Sequence, residues 1–247
     1  MRELLNQIQT ELIKLKRKTF ILFALLSSAA VPFINIVYTL NLPKNTTINR
    51  TFTEFYKFDF TEWMLLPCVL SVIGSMIFYT ERENGTLKQL MIIPVSKTIF
   101  LLSKLIVIFL FSILFMFLTA IFTVVGAYVI GYLDITSALI YRLFKLCMET
   151  GIFTVCAMLP IVFIIVIAKK EYIIPICATL IYSISGLIFA SHLTGIHPLS
   201  SVAGIVWNKN IEGVKISADL KGCIINLVLV SIISIGASIY TLKKQEY

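Results

Sequence analysis

Two histidines, His192 and His197, are the residues with which this sequence could hold a metal ion or supply a catalytic base. Their spacing of five places them off one common helix face, and no H-E-x-x-H motif is present. No acidic residue lies within the long apolar segments to support either histidine. The sequence therefore predicts no catalytic residue and no metal site, and it favours a pair of histidines at a membrane interface.

A second polar segment, from Glu81 to Lys97, carries the most informative pattern in the chain. It reads as an acidic exit from an apolar block, a Gly-Thr turn at 85–86, and a short amphipathic helix that ends at Pro94. Leu87, Leu90 and Met91 would share one face of this helix. On physical grounds alone, the pattern predicts an ordered intracellular loop.

The elements around these residues are membrane helices. Of the 247 residues, 58% are hydrophobic and only 14% are charged, and the mean hydropathy is +0.94. The apolar residues come in blocks long enough to cross about 30 Å of hydrocarbon, which takes about 20 residues per helix. We therefore predict an all-α integral membrane protein, one domain over 1–247, with the first apolar block kept as a span. The six predicted spans are 19–40, 63–80, 105–133, 150–168, 172–193 and 222–242.

The distribution of basic residues predicts the orientation. Thirteen Lys and Arg residues fall on the side of the N-terminus and eight on the other side. Since the loops are short, the positive-inside rule applies and both termini are predicted in the cytoplasm. The net charge of +8 is explained by this bias, because the chain has no extended basic face for nucleic acid.

Two further segments are predicted to lie along the membrane surface. Residues 1–18 place an apolar stripe on one helix face, with Glu11, Lys14, Arg17 and Lys18 off it. The stripe is formed by Leu4, Ile8, Leu12 and Leu15. The stretch 194–221, with Pro198, Gly204 and Trp207, is predicted as a re-entrant or interfacial element.

The polar side chains inside the predicted spans include no Asp, Glu, Lys or Arg. They include Asn35 and Asn226, together with Ser and Thr residues such as Ser71 and Ser75, which have small-xxx-small spacing. We interpret these residues first as helix-packing contacts. The alternative is that Asn35, Ser71 and Asn226 line a path for cargo.

The segment E-R-E-N-G-T-L-K-Q-L, followed by P-V-S-K and by Lys104, resembles the intracellular coupling loop of type 2 ABC exporter permeases. The N-terminal stripe with Glu11-Leu12-Ile13-Lys14-Leu15-Lys16-Arg17 further resembles the bacitracin-resistance and lantibiotic-immunity permeases. The resemblance in layout covers essentially the whole chain, and its motifs are confined to 1–18 and 81–104. Asn84 departs from the pattern, because many relatives have an acidic or small residue there.

The resemblance implies that ATP is bound and hydrolysed by a separate chain. The chain has no G-x-x-x-x-G-K-[ST] motif, so ATP and Mg are expected on a separate ATPase. Two permease chains would pair, as two copies of this chain or as this chain with a related one, and two ATPase chains would dock on the loop 81–104. The residues assigned to this coupling are Glu81, Arg82, Glu83, Gly85, Thr86, Leu87, Leu90 and Pro94.

The same resemblance makes the N-terminal stripe a gate helix at the inner leaflet, and makes 194–221 the outer element that closes the pathway. The expected function is ATP-driven removal of an amphiphilic antimicrobial peptide, or of a lipid-linked compound, from a bacterial cell membrane. A membrane scaffold or sensor that transports nothing would explain the spans and the charge bias equally well. A secondary carrier is the third alternative, and the lack of ionisable residues within the predicted spans argues against it.

Overall fold

The computed structural model describes residues 2–16, 18–42, 51–59, 62–83, 96–168, 173–188, 195–207 and 219–244. Every regular element in these ranges is a helix. A 3-10 turn, Ser27–Ala29, joins the second and third helices into the continuous stretch Thr19–Leu40. The helices are α1 (Arg2–Lys16), α2 (Thr19–Leu26), α3 (Ala30–Leu40), α4 (Phe52–Asp59), α5 (Glu62–Glu83), α6 (Lys97–Ile130), α7 (Ser137–Ala157), α8 (Leu159–Ile167), α9 (Ile173–Ile188), α10 (Pro198–Trp207) and α11 (Leu220–Lys244).

Several of these helices are long and apolar enough to cross a membrane. Within the described residues, Thr19–Leu40, α6 and α11 meet that requirement singly, and α7 with α8 meets it as one span bent by 41°. Apolar helices at Leu65–Thr80 and Ile173–Gly186 fall in the predicted second and fifth spans but have fewer than 18 residues. The helices agree with a multi-pass membrane protein, and the count of six spans stays a prediction.

The helix α6 starts earlier than the predicted span, because Lys104 is buried inside the helix bundle and does not mark the start of the helix. The predicted span began at residue 105 to exclude this charge, whereas the helix begins at Lys97, where the Ser96 hydroxyl accepts the Ile99 N–H at 3.2 Å. At the other end α5 continues through Glu83. The predicted loop 81–104 is thus shorter by its two helical ends. Gly131, at φ +88°, closes α6 as a left-handed C-terminal glycine.

The predicted fourth span, 150–168, is part of a longer broken helix. α7 already begins at Ser137, capped by Thr136, and its charged residues Lys145 and Glu149 lie 3.9 Å apart on the partly exposed surface. The helix breaks at Met158 because Pro160, near the start of α8, has no N–H to continue the helical hydrogen bonds.

The core is built around α6, which packs against α1, α3, α5 and α7. One end of the bundle holds α1, the last turn of α5 and the first turn of α6. We call it the α1 end. The opposite end holds α4, a short helix that is not predicted from the sequence between the first two spans. Its Phe52, Phe55 and Tyr56 are fully buried, so α4 is folded into the bundle.

Candidate coupling site

The two helices that flank residues 84–95 meet at the α1 end. Phe78 near the end of α5 contacts Phe100 in the first turn of α6, with ring centroids 6.2 Å apart and ring planes at 86°. Of the predicted coupling residues, Glu81, Arg82 and Glu83 form the last turn of α5. The others, Gly85, Thr86, Leu87, Leu90 and Pro94, lie outside the described residues.

A buried ion pair lies immediately beside this contact. Lys104 Nζ on α6 is 3.3 Å from Glu11 Oε2 on α1 and 3.5 Å from the carbonyl oxygen of Ile77 on α5. Lys104 is 0% exposed and Glu11 is 7% exposed. Three helices therefore meet at one charged group, and two of them flank the 84–95 segment.

Two aromatic rings also lie beside the ammonium group. Lys104 Nζ lies 4.7 Å from the ring centroid of Phe100 and 5.3 Å from that of Phe78. The negative faces of such rings attract a cation, most strongly where water is excluded. An ammonium group buried here without compensation would cost several kcal/mol, by the general estimate of about 3–5 kcal/mol for breaking a buried pair. Glu11, the rings and the carbonyl together supply that compensation.

Two further lysines tie the same end of the bundle together. Lys18, just after α1, donates to Thr80 Oγ1 on α5 at 2.7 Å. Lys97, the first residue of α6, donates to the carbonyl oxygens of Leu242 and Lys243 on α11 at 3.0 and 3.3 Å. The last carbonyls of a helix have no partner within it and carry partial negative charge, which a lysine stabilises. The start of α6 is thus attached to α1, α5 and α11.

The face of α1 that docks on the bundle differs from the predicted stripe. Leu15 is buried and Leu4 and Ile8 are partly buried, as the stripe requires, but Leu12 is 41% exposed. Glu11 takes the inward position instead, because it pairs with Lys104. The prediction placed Glu11 off the apolar stripe, and this was wrong, because Glu11 is buried on the docked face. A signal for it existed in the sequence, since Lys104 directly precedes the long apolar block 105–133.

The three candidate cargo-path residues lie in three different helix contacts. Asn35 on α3 is fully buried and donates to the Phe55 carbonyl oxygen on α4 at 2.8 Å. Ser71 on α5 is buried and lies 2.7 Å from Thr179 Oγ1 on α9. Asn226 on α11 donates to the Gly195 carbonyl oxygen at 2.6 Å. These bonds favour the packing interpretation, and a cargo path along these residues stays a prediction.

The predicted outer element contains α10, which packs against α7, α9 and α11. His197, the residue before α10, stacks on Tyr182 of α9 with ring centroids 4.5 Å apart, and its Nε2 lies 3.3 Å from Ser185 Oγ. Its companion His192 lies outside the described residues. Among the described residues no group of His, Cys, Asp and Glu is arranged to hold a metal ion. His197 thus acts as a packing residue between α9 and α10.

Acid is expected to weaken this packing. Burial lowers the pKa of His197 from its ordinary value of 6.5, so the folded chain binds this proton less readily than the unfolded chain. Stability from this residue is therefore complete above pH 6.5 and falls as the pH drops below it. When the pH is lowered from about 7.5 to about 5.5, we expect the midpoint temperature of thermal unfolding to fall more in the wild type than in His197→Gln. Equal shifts would contradict a role for this imidazole.

Comparison with known proteins assigns the chain to a family. A model of the family described as "ABC-2 family transporter protein" matches residues 7–186, which include α1 from Gln7 onward, both flanks of the 84–95 segment and Lys104. The chain belongs to the ABC-2 family. Membership confirms the resemblance seen in 1–18 and 81–104, and it confirms the prediction of a membrane subunit of an ABC transporter rather than an enzyme.

One similar protein gives a more specific lead. The Bacitracin transport permease protein BCRB of Bacillus licheniformis is 27% identical to this ABC-2 chain over 132 residues, which are 53% of this chain and 63% of the relative. The chain therefore spans a little under two thirds of that relative's length. No solved structure matches the chain.

Proposed function

We propose that this ABC-2 protein is the permease subunit of an exporter that removes an amphiphilic antimicrobial peptide, similar to bacitracin or a lantibiotic, or a lipid-linked compound, from a bacterial cell membrane. ATP hydrolysis takes place on two separate ATPase chains, which bind ATP and Mg. A second permease chain, a copy of this one or a related one, completes the pathway. The result for the cell is resistance or immunity.

The observation that carries this proposal is the convergence of helices beside the 84–95 segment. A partner that binds the segment acts on the ends of α5 and α6, which contact each other through Phe78 and Phe100. From there the displacement reaches α1 through Glu11 and α11 through Lys97. A loop that only joined two spans would not require four helices to be tied together at its base.

The charges at the α1 end support a cytoplasmic position for this site. Lys14, Lys16, Lys18 and Lys97 all lie at that end among the described residues. Basic residues beside membrane helices favour the cytoplasmic side, where anionic lipid headgroups attract them. Placing the N- and C-termini in the cytoplasm brings the 84–95 segment within reach of ATPase chains there.

The choice of cargo rests on the resemblance to bacitracin-resistance and lantibiotic-immunity permeases and on the similarity to BCRB, a bacitracin transport permease. The scaffold or sensor alternative has no ATPase requirement. Transport and scaffolding are therefore separated by whether the permease holds an ATPase whose activity responds to the peptide.

The test is the ATPase activity of the chain co-purified with its candidate ATPase subunit, with and without bacitracin or a lantibiotic. We expect the peptide to stimulate hydrolysis in the wild type, and Gly85→Pro to reduce the stimulated part by about tenfold. Proline fixes φ and removes the backbone N–H, so it is expected to disrupt the turn that Gly85 is predicted to permit.

The matched control is Gly236→Ala on α11, where an added Cβ would meet nothing within 4 Å. This control is expected to keep wild-type stimulation. Failure of the wild type to retain any ATPase would refute the exporter and favour the scaffold. Stimulation that persists in Gly85→Pro would show that the coupling lies elsewhere.

A further inference from the structure

We propose that the Glu11–Lys104 pair is a lock that makes α1 and the first turns of α6 move as one body. Its consequence for transport rests on the proposed function, since the displaced α6 would then carry α1 with each ATPase cycle. The lock itself is a property of the folded chain and can be tested without an ATPase.

The first step of the argument concerns burial. Lys104 has no exposed surface, and Glu11 is the carboxylate that lies 3.3 Å from its ammonium group. If α1 moved away while α6 stayed, the ammonium group would have to exchange that carboxylate for a less favourable environment inside the bundle. If α1 and α6 move together, the ion pair stays intact, so joint motion requires less free energy than separation of the two helices.

The second step concerns the position of Lys104 along α6. It lies seven residues after Lys97, and at 1.5 Å per residue this is about 10 Å along the helix axis. Ser96 caps the helix and Lys97 fixes its start to the end of α11. A continuous capped helix transmits a displacement of its first turn to Lys104, and the ion pair transmits it to α1.

The third step separates the lock from ordinary surface charge. Glu11 uses its two oxygens differently: Oε2 faces Lys104 inside the bundle, and Oε1 accepts from Lys14 at 3.0 Å on the surface of α1. The side chain of Lys14 is 46% exposed. Exposed pairs contribute little because water screens them. The chain therefore offers an internal control, in which one carboxylate pairs with a buried lysine and with an exposed one.

Hydrogen exchange of the full-length chain in lipid nanodiscs tests the lock directly. We expect Glu11→Gln and Lys104→Met each to speed exchange of the α1 amides by at least tenfold. The swapped double variant, Glu11→Lys with Lys104→Glu, is expected to restore protection to within about threefold of wild type, because opposite charges again face each other. Lys14→Met, the control, is expected to leave protection unchanged.

Wild-type protection of α1 in both single variants would overturn the lock. If the single variants lose folded protein altogether, the swapped variant decides: a folded swap in which α1 exchanges freely would also overturn it. Protection restored by the swap supports the lock, because a merely space-filling role would not recover when both side chains are exchanged.

The consequence for transport is read in the complex with the ATPase subunit, as the ratio of bacitracin-stimulated to basal hydrolysis. We expect this ratio to fall at least fivefold in each single variant and to recover in the swap. A wild type that holds no ATPase counts against the proposed function and leaves the exchange result standing. A stimulated wild type with unaffected single variants counts against transmission through the lock.

Discussion

Phe55→Ala is expected to lower the free energy of unfolding by about 3–5 kcal/mol, the usual cost of removing a buried aromatic ring. Phe55 belongs to α4 and is 0% exposed. Its ring lies 5.5 Å from that of Tyr132, and its carbonyl oxygen accepts from Asn35. The substitution leaves a cavity where α3, α4 and the end of α6 meet, and it removes one of the three fully buried aromatic rings that dock the short α4.

Detergent unfolding followed by a thiol-reactive fluorophore measures this change, because the buried thiols Cys147 and Cys223 become reactive as the helices separate. The matched control is Phe33→Ala on α3, whose ring is 64% exposed on the outside of the bundle. We expect the control to change stability by less than about 0.5 kcal/mol, as exposed substitutions generally do. Similar losses in the two variants would mean that α4 is not docked as described.

The docking of α4 also shows where prediction from the sequence ends. Hydropathy and charge located the apolar blocks, and the block predicted as 19–40 coincides with the helix Thr19–Leu40. Residues 52–56 lie between the predicted spans 19–40 and 63–80, so the charge-free windows predict only an outer loop there. Their burial depends on partners distant in sequence, chiefly Asn35 and Asp134, which accepts the Phe52 N–H at 2.8 Å. No local pattern encodes such contacts.

Only part of the candidate site could be predicted from the sequence, because it too depends on contacts between residues that are distant in the chain. The pattern in 81–97 predicted the family, and the family model that matches residues 7–186 confirms that prediction. The sequence places Glu11 off the N-terminal stripe and Lys104 just before the span 105–133, and no local pattern indicates that the two side chains meet. Their pairing joins residues 93 positions apart. Only the packing of α1 on α6 turns two solvated charges into a buried pair.

A second large effect is expected at Gly126, where α3 crosses α6. A Cβ atom added here would lie 2.8 Å from Cδ1 and 2.9 Å from Cγ1 of Ile36, and 3.4 Å from Cζ of Phe55. These distances to Ile36 are too short for carbon atoms, so the helices would have to separate or Ile36 would have to change its side-chain conformation. We expect Gly126→Val to cost about 2–3 kcal/mol, within the usual range for overpacking a core.

The control is Gly236→Val on α11, which has the same change in a helix but no atom within 4 Å of the new Cβ. It isolates the effect of valine on the helix itself, which is small. Adding Ile36→Ala to Gly126→Val should recover part of the loss if the clash is the cause. Equal loss of stability in both glycine variants would show that contact with Ile36 is not the cause, since valine is no worse a helix former than glycine.

The effect of Gly126→Val also shows how the two ends of the protein are connected. Gly126 and Lys104 lie on the same helix, separated by 22 residues or about 33 Å at 1.5 Å per residue. At one point α6 holds α1 through a charge, and at the other it holds α3 through close contact of small and branched side chains. If Gly126→Val loosens α3 while α1 remains protected from exchange, the two contacts act independently. If both loosen together, α6 links the coupling site mechanically to the opposite end of the bundle.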